Sequence, residues 1–169
     1  MNIRLELMTK PLCRSFFEDF TYDPATFPDA QVPEIYRYDL KQADTFYEKN
    51  NQADRVHFAV MVDEVVVGDL YLKRIDRENR TCTLSIHMKN DSVKNRGYGT
   101  AAEILALEHA FNELRMDAVL ADSLITNTRS RHVLEKVGFV MTGTDGQRCH
   151  YRCDKSGWSS CKPSVIDIV

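Results

Sequence analysis

Apolar and charged residues alternate in Ile3-Arg4-Leu5-Glu6-Leu7, a pattern that predicts a half-buried strand closed off by Pro11. Leu12, Phe16, Phe17 and Phe20 then recur at intervals of three and four, the spacing of one helical face. Pro24, Pro28 and Pro33 each remove a backbone donor, so Tyr22 to Pro33 reads as an irregular loop. A second helix is expected from Leu40 to Lys49, with Leu40, Ala43, Phe46 and Tyr47 as its apolar face. Val56 to Val62 and Val65 to Leu72 are runs of β-branched and aromatic residues joined at Asp63-Glu64, which predicts a hairpin. Gly68 in the second run marks a bulge or a close neighbouring backbone. Arg74 to Arg80 is a polar turn, and Thr81 to Met88 alternates again as a third antiparallel strand.

After a polar stretch, Gly97-Tyr98-Gly99-Thr100 leads into Ala101, Ile104, Leu107, Phe111 and Leu114, the stripe of an amphipathic helix. The run from Asp117 to Asp122, ending in Leu124-Ile125-Thr126, predicts a buried parallel strand reached through that helix. Asn127 is a good N-cap for a helix carrying Ser130, Val133, Leu134 and Val137 on one face, and Gly138 can stop it. Phe139 to Met141 and Gln147 to Cys153 form a last hairpin around Thr144-Asp145-Gly146. These elements predict one α/β (α+β) domain over residues 1–169, with 155–169 as a C-terminal extension. In that extension Trp158 and Val165 to Val169 are expected to meet a sheet edge or another subunit, so monomer and homodimer both stay open.

Composition narrows the partners. Hydrophobic residues at 43% and charged residues at 28% are an ordinary globular mixture, and a net charge of -3 exerts no pull toward phosphate backbones or anionic membranes. Neither nucleic acid nor membrane is expected as a partner. The start has no charged stretch followed by an apolar run, and the five cysteines are an odd number without disulfide-framework spacing, so a reducing, cytoplasmic setting is expected. Cys149, His150, Cys153 and Cys161 raise the question of zinc. On a strand, however, Cys149 and Cys153 would lie about 13 Å apart, too far for one ion, and no metal is expected.

Two segments carry chemistry. In Lys94-Asn95-Arg96-Gly97-Tyr98-Gly99-Thr100, two glycines let backbone N–H groups turn outward at a helix N-terminus, where free donors and the helix dipole attract a phosphate. Lys94 and Arg96 add positive charge. Gly97 to Ala102 also fits the dinucleotide fingerprint G-x-G-x-x-A, which would suit a nicotinamide-dependent oxidoreductase. That fingerprint requires an apolar parallel strand running straight into the first glycine, whereas here Lys89 to Arg96 intervene after antiparallel strands. The second segment is Asn127-Thr128-Arg129-Ser130, followed by Lys136-Val137-Gly138-Phe139.

Together the two segments resemble the GNAT superfamily, the Gcn5-related N-acetyltransferases, whose loop reads Q/R-x-x-G-x-G/A and is followed by N-x-x-S or N-x-x-A, a helix and K-x-G-F. The agreement runs from about Val56 to Tyr151, and the Ser130 form looks most like the branch with the ribosomal-protein N-terminal acetyltransferases. The resemblance implies a mostly antiparallel sheet of six to seven strands flanked by about four helices, acetyl-CoA as co-substrate, and an amine-bearing acceptor. It implies that Gly97, Gly99 and Thr100, with Arg96 and Tyr98, hold the CoA pyrophosphate. Lys94 stands where Gln or Arg is usual, which keeps a charge and loses a planar fork. The strand edge at Ile86 to Lys89, including Met88, would run along the pantetheine, with Asn127 touching the same arm. For Asn127 helix capping is an equal role, and both can hold together.

Relatives commonly carry a Tyr seven residues after the Asn to protonate the leaving thiolate, and this chain has Leu134 there. Ser130 is then the candidate donor to the CoA sulfur, though a helical hydroxyl can also bond the backbone one turn back. No Glu occupies the strand from Thr81 to Met88, which leaves His87 as the candidate general base beside its reading as a solvent-facing strand residue. His150 and Tyr151 are weaker candidates, while packing or exposure accounts for His57, His109 and His132. Tyr22, Asp23, Phe27, Asp29, Glu34 and Tyr36 offer aromatic and acidic groups that suit a cationic acceptor, or form a solvated loop. The missing Tyr and the undecided base keep a non-catalytic acyl-CoA-binding sensor as the alternative to amine acetylation.

Overall fold

A computed structural model describes residues 2–23 and 38–161 of the chain. The expected loop beyond Asp23, with Phe27, Asp29, Glu34 and Tyr36, and the stretch Val165 to Val169 lie outside the described residues. The order is β1 (Ile3–Leu7), α1 (Lys10–Glu18), α2 (Leu40–Asn50), β2 (Val56–Val62), β3 (Val65–Asp76), β4 (Thr81–Met88), α3 (Tyr98–Glu108), β5 (Ala118–Leu124), α4 (Thr128–Lys136), β6 (Val140–Thr144), β7 (Arg148–Asp154) and α5 (Lys155–Cys161). The strands form one sheet in the order β1-β2-β3-β4-β5-β7-β6, antiparallel throughout except for β4 and β5. This is the mixed, mostly antiparallel α/β architecture expected, with seven strands and five helices among the described residues.

Several boundaries differ from the sequence pattern for local reasons. Pro11 does not close β1; it sits in the first turn of α1, where a missing N–H costs nothing, and the Thr9 hydroxyl caps that helix by accepting from the Leu12 N–H. β3 runs on to Asp76, so the polar turn shrinks to the residues that follow. The extension after Asp154 begins as α5, and Trp158 neither meets a sheet edge nor faces outward. It is buried, its indole N–H donating to the Val137 carbonyl at 3.1 Å.

Two hydrophobic cores lie on opposite faces of the sheet. The larger joins Val60, Leu70, Leu72, Leu84 and Val119 to α3, α4 and Trp158. The smaller packs Ala59, Met61 and Val66 under Cys13, Phe16 and Phe20. Because both faces of β3 are covered, Val66 to Leu72 is buried without interruption, which is why its sequence is apolar on both faces, rather than alternating, apart from Gly68 and Asp69. The same reasoning corrects α3: it is buried nearly all round, Glu103 included, instead of presenting one apolar stripe, and it packs against β1, β4 and α4.

One irregularity opens the molecule. β4 and β5 pair only from Thr81, Cys82 and Thr83 to Ala118, Val119 and Leu120, and beyond that point they part. Leu84 to Met88 therefore lack a strand neighbour on the β5 side, and the gap passes between the two faces of the sheet.

Candidate active site

The gap forms a cleft of 420 Å³ whose walls include Gly97, Gly99 and Thr100 from the start of α3, Asn127 and Ser130 from the start of α4, and His87 from β4. Two helix N-termini thus face one space. Gly97 takes a φ of +78°, the left-handed region that glycine enters without penalty, and starts α3 without a side-chain cap. The first intrahelical bond runs from the Ala101 N–H to the Gly97 carbonyl at 3.0 Å, so the N–H groups before it have no partner within the helix. There is no acidic residue in that first turn. A β-carbon at Gly99 would meet only the Met88 sulfur at 3.8 Å, and Gly99 has no positive φ, so its smallness leaves the cleft wall open and serves no backbone need.

Asn127 is buried and caps α4, its Oδ1 accepting from the Ser130 N–H at 3.1 Å. Ser130 is half-buried in the cleft wall, and among the described residues its hydroxyl takes no protein partner, neither the carbonyl one turn back nor any other. Met88 lines the cleft, as does Leu134 at the position where relatives commonly have Tyr.

Other expected ligands fall elsewhere. Lys89 is buried outside the cleft walls, its ammonium 3.4 Å from Asp19. Its backbone N–H donates to Val67 and its carbonyl accepts from Thr21, so neither is free for a ligand. Lys94 reaches the cleft but is not a mobile charge: its ammonium sits 2.7 Å from Asp23 and 2.6 Å from Asp91. Asp23 also holds Arg129 at 2.6 Å. Arg96 is exposed, and the Tyr98 side chain belongs to the core. Tyr151 is buried between Arg131 and Glu135, and His150, on the last hairpin, bonds the cleft-wall residue Asp122 from behind; neither of the two lines the cleft itself.

His87 stands in the cleft wall beside a buried carboxylate. Its Nδ1 lies 3.3 Å from Asp69 Oδ1, directly across the β3–β4 pairing, and its side chain is 26% exposed where Asp69 is 1% exposed. On the other side of Asp69, His57 Nε2 lies 3.5 Å from Oδ2 and its ring stacks on Tyr71 at 4.1 Å. Burial pushes the Asp69 carboxyl up, but His57, His87 and the Tyr71 hydroxyl outweigh it and hold the group below the ordinary carboxylate range. Tyr71 is driven the other way, above its ordinary range, by burial and by Asp69. The contacts are long, and no oxygen of Asp69 has a hydrogen-bond partner of good geometry among the described residues.

Asp69 and Glu103 are the site residues that the sequence pattern passes over. A lone carboxylate inside Val65-Val66-Val67-Gly68-Asp69-Leu70 was the available signal, because Asp is almost never fully buried unless paired. Glu103 lines the cleft from α3, one carboxyl oxygen has no partner among the described residues, and burial pushes it up to about 8. Cys13, Cys82, Cys149 and Cys153 are buried and outside the cleft walls, and burial pushes the thiols of Cys13, Cys82 and Cys153 up to about 12.

The acetyltransferase (GNAT) domain family matches residues 5–140. A probable N-acetyltransferase, YjcK, of Bacillus subtilis (strain 168) is 27% identical over 132 residues, covering 77% of this chain and 70% of that protein. The spermidine N-acetyltransferase of Vibrio cholerae, solved in complex with CoA and spermine, shares the fold at a TM-score of 0.75 and 15% identity, covering 93% of this chain and 98% of that one. A chimera of that enzyme with hSSAT superposes at a TM-score of 0.76 and 15% identity, covering 94% and 99%. With the loop, the open sheet and the family match in agreement, the chain belongs to the GNAT acetyltransferases and is an acetyl-CoA-dependent N-acetyltransferase.

Proposed function

We propose that the protein acetylates a primary amine of a small molecule or protein N-terminus by direct attack within a ternary complex, with His87 as general base and Ser130 as hydrogen-bond donor to the leaving sulfur. The observation that carries this reading is the His87–Asp69 pair, set where β4 and β5 part and opening on the same cleft as the uncapped start of α3. The residues present fit the co-substrate: the free N–H groups of Gly99 and Thr100 suit a pyrophosphate, with Lys94, Arg96 and the flank at Gly97 and Tyr98 around them, and Met88 and Asn127 border the path of the pantetheine. When bound, acetyl-CoA supplies an acyl group activated as a thioester. Met88, not Lys89, marks the end of the strand edge available to it.

The chain's own residues do three things. Asp69 keeps Nδ1 of His87 protonated and the ring oriented, leaving Nε2 to accept the proton that the attacking amine must lose. The splayed strands hold amine and thioester in one space, which removes most of the entropic cost of bringing them together. Ser130 offers a hydroxyl that nothing else in the described protein engages. With Cys13, Cys82, Cys149 and Cys153 buried away from the cleft, direct attack needs no acyl-enzyme on any of them.

The Asn127 to Ser130 segment is similar to that of the ribosomal-protein branch, whereas the solved neighbours named above are spermidine enzymes, so the acceptor class stays a primary amine. Buried free thiols support the reducing, cytoplasmic setting.

His87→Gln tests the reading. We expect kcat to fall roughly 100- to 1,000-fold. Acetyl-CoA should still raise the Tm, by about 5 to 10 °C at a hundred times its Kd. A variant with undiminished turnover would remove His87 from the chemistry.

A further inference from the structure

The cleft's second wall lies on the sheet face opposite α3. Side chains alternate along a strand, so Lys73 of β3, Ser85 and His87 of β4, Asp122 of β5 and Arg148 of β7 all leave from the face that does not hold the larger core. Of these, Lys73 and Arg148 are cations whose side chains have no hydrogen-bond or ion-pair partner among the described residues. Among the described residues the carboxylate beside them is Asp122, already engaged by His150 Nδ1 at 2.6 Å. The acid next to the cleft on the α1 side, Asp23, is taken by Lys94 and Arg129.

We infer, on the basis of the amine-acetylation reading above, that the acceptor carries an anionic group, a carboxylate or a phosphate, several bonds from its amine, and that Lys73 and Arg148 bind that group. Lys73 is half-buried, and burial, then Arg74, Arg55 and Arg148, lower its pKa while Asp122 opposes them. Arg148 is exposed beside it, and the repulsion that these like charges impose on the half-buried ammonium is a cost that a bound anion offsets. Arg148 presents a planar fork suited to either anion. The register sets the length of the acceptor. Lys73 stands opposite Thr83, four residues before His87, which is about 13 Å along the strand, and the lysine chain spans part of it. An α-amino acid is too short to bridge the remainder, whereas an amine on a chain of five or six carbons reaches.

The test is kcat/KM for four amines: hexylamine, 6-aminohexanoate, 6-aminohexyl phosphate and spermidine. We expect at least one of the two anionic amines to exceed hexylamine by roughly 10- to 100-fold, mainly through KM, the larger ratio naming carboxylate or phosphate, and spermidine to be the poorest. Lys73→Met and Arg148→Met should each collapse that ratio toward one, with the acetyl-CoA-induced rise in Tm kept as proof of folding. Preference for spermidine, or a ratio that neither substitution changes, overturns the anionic acceptor and leaves amine acetylation standing. No turnover with any of the four amines overturns both.

Discussion

Two carboxylates with opposite fates show how position sets chemistry at the residue scale. Asp69 is ionised because two imidazoles and a hydroxyl face it, and Glu103, equally buried, lacks any such partner for one of its oxygens and is pushed up to about 8. The sign of its linkage follows. In the unfolded chain Glu103 ionises near pH 4.3, while in the folded protein it keeps its proton to about pH 8, so folding binds a proton and stability falls as pH rises through that window. Glu103→Gln removes the titration. We expect the variant to match the wild type near pH 4.5 and to exceed it at pH 8 by on the order of 4 kcal/mol in urea unfolding. Parallel stability curves would mean that Glu103 is not a neutral carboxyl at pH 7.

At the scale of elements, the start of α3 separates glycines that serve the backbone from those that serve the cleft. Gly97 needs its left-handed φ, while Gly99 has an ordinary φ and stands beside open space. Gly99→Val should therefore leave the protein folded, within about 1 kcal/mol of the wild type, because a β-branched residue costs a helix little. Its side chain would nonetheless fill the approach to the free N–H groups, and the acetyl-CoA-induced rise in Tm should disappear. A retained rise would place the cofactor elsewhere. Gly68 is a third case: a β-carbon there would lie 2.8 Å from the His87 carbonyl, so its absence lets β3 and β4 approach where Asp69 meets His87.

The whole molecule is built as a sheet with a core on each face, and the larger core continues past the last strand into α5. Trp158 lies 5.4 Å from the Phe111 ring and packs against Gly138, where a β-carbon would come within 3.0 Å of the indole. Its removal is a core deletion and not the trimming of a tail. Trp158→Ala should cost roughly 3 to 5 kcal/mol in equilibrium unfolding, and a loss below 1 kcal/mol would show that α5 is dispensable.

The sequence by itself determined what depends on neighbours a few residues apart: the strand and helix periods, the caps at Asn127 and Gly138, and the glycine loop that starts α3. It also marked His87, Asn127 and Ser130, since each belongs to a short pattern. Only the tertiary structure decided which groups those patterns would meet. Asp69 reaches His87 through strand register, Lys94 and Arg129 are joined by Asp23 from 71 and 106 residues away, and Lys89 is spent on Asp19. The cleft itself exists because β4 and β5 pair for three residues and then part. Period and capping are local energies that a window of sequence contains, whereas register, splay and the desolvation of a buried charge arise from segments brought together only by folding.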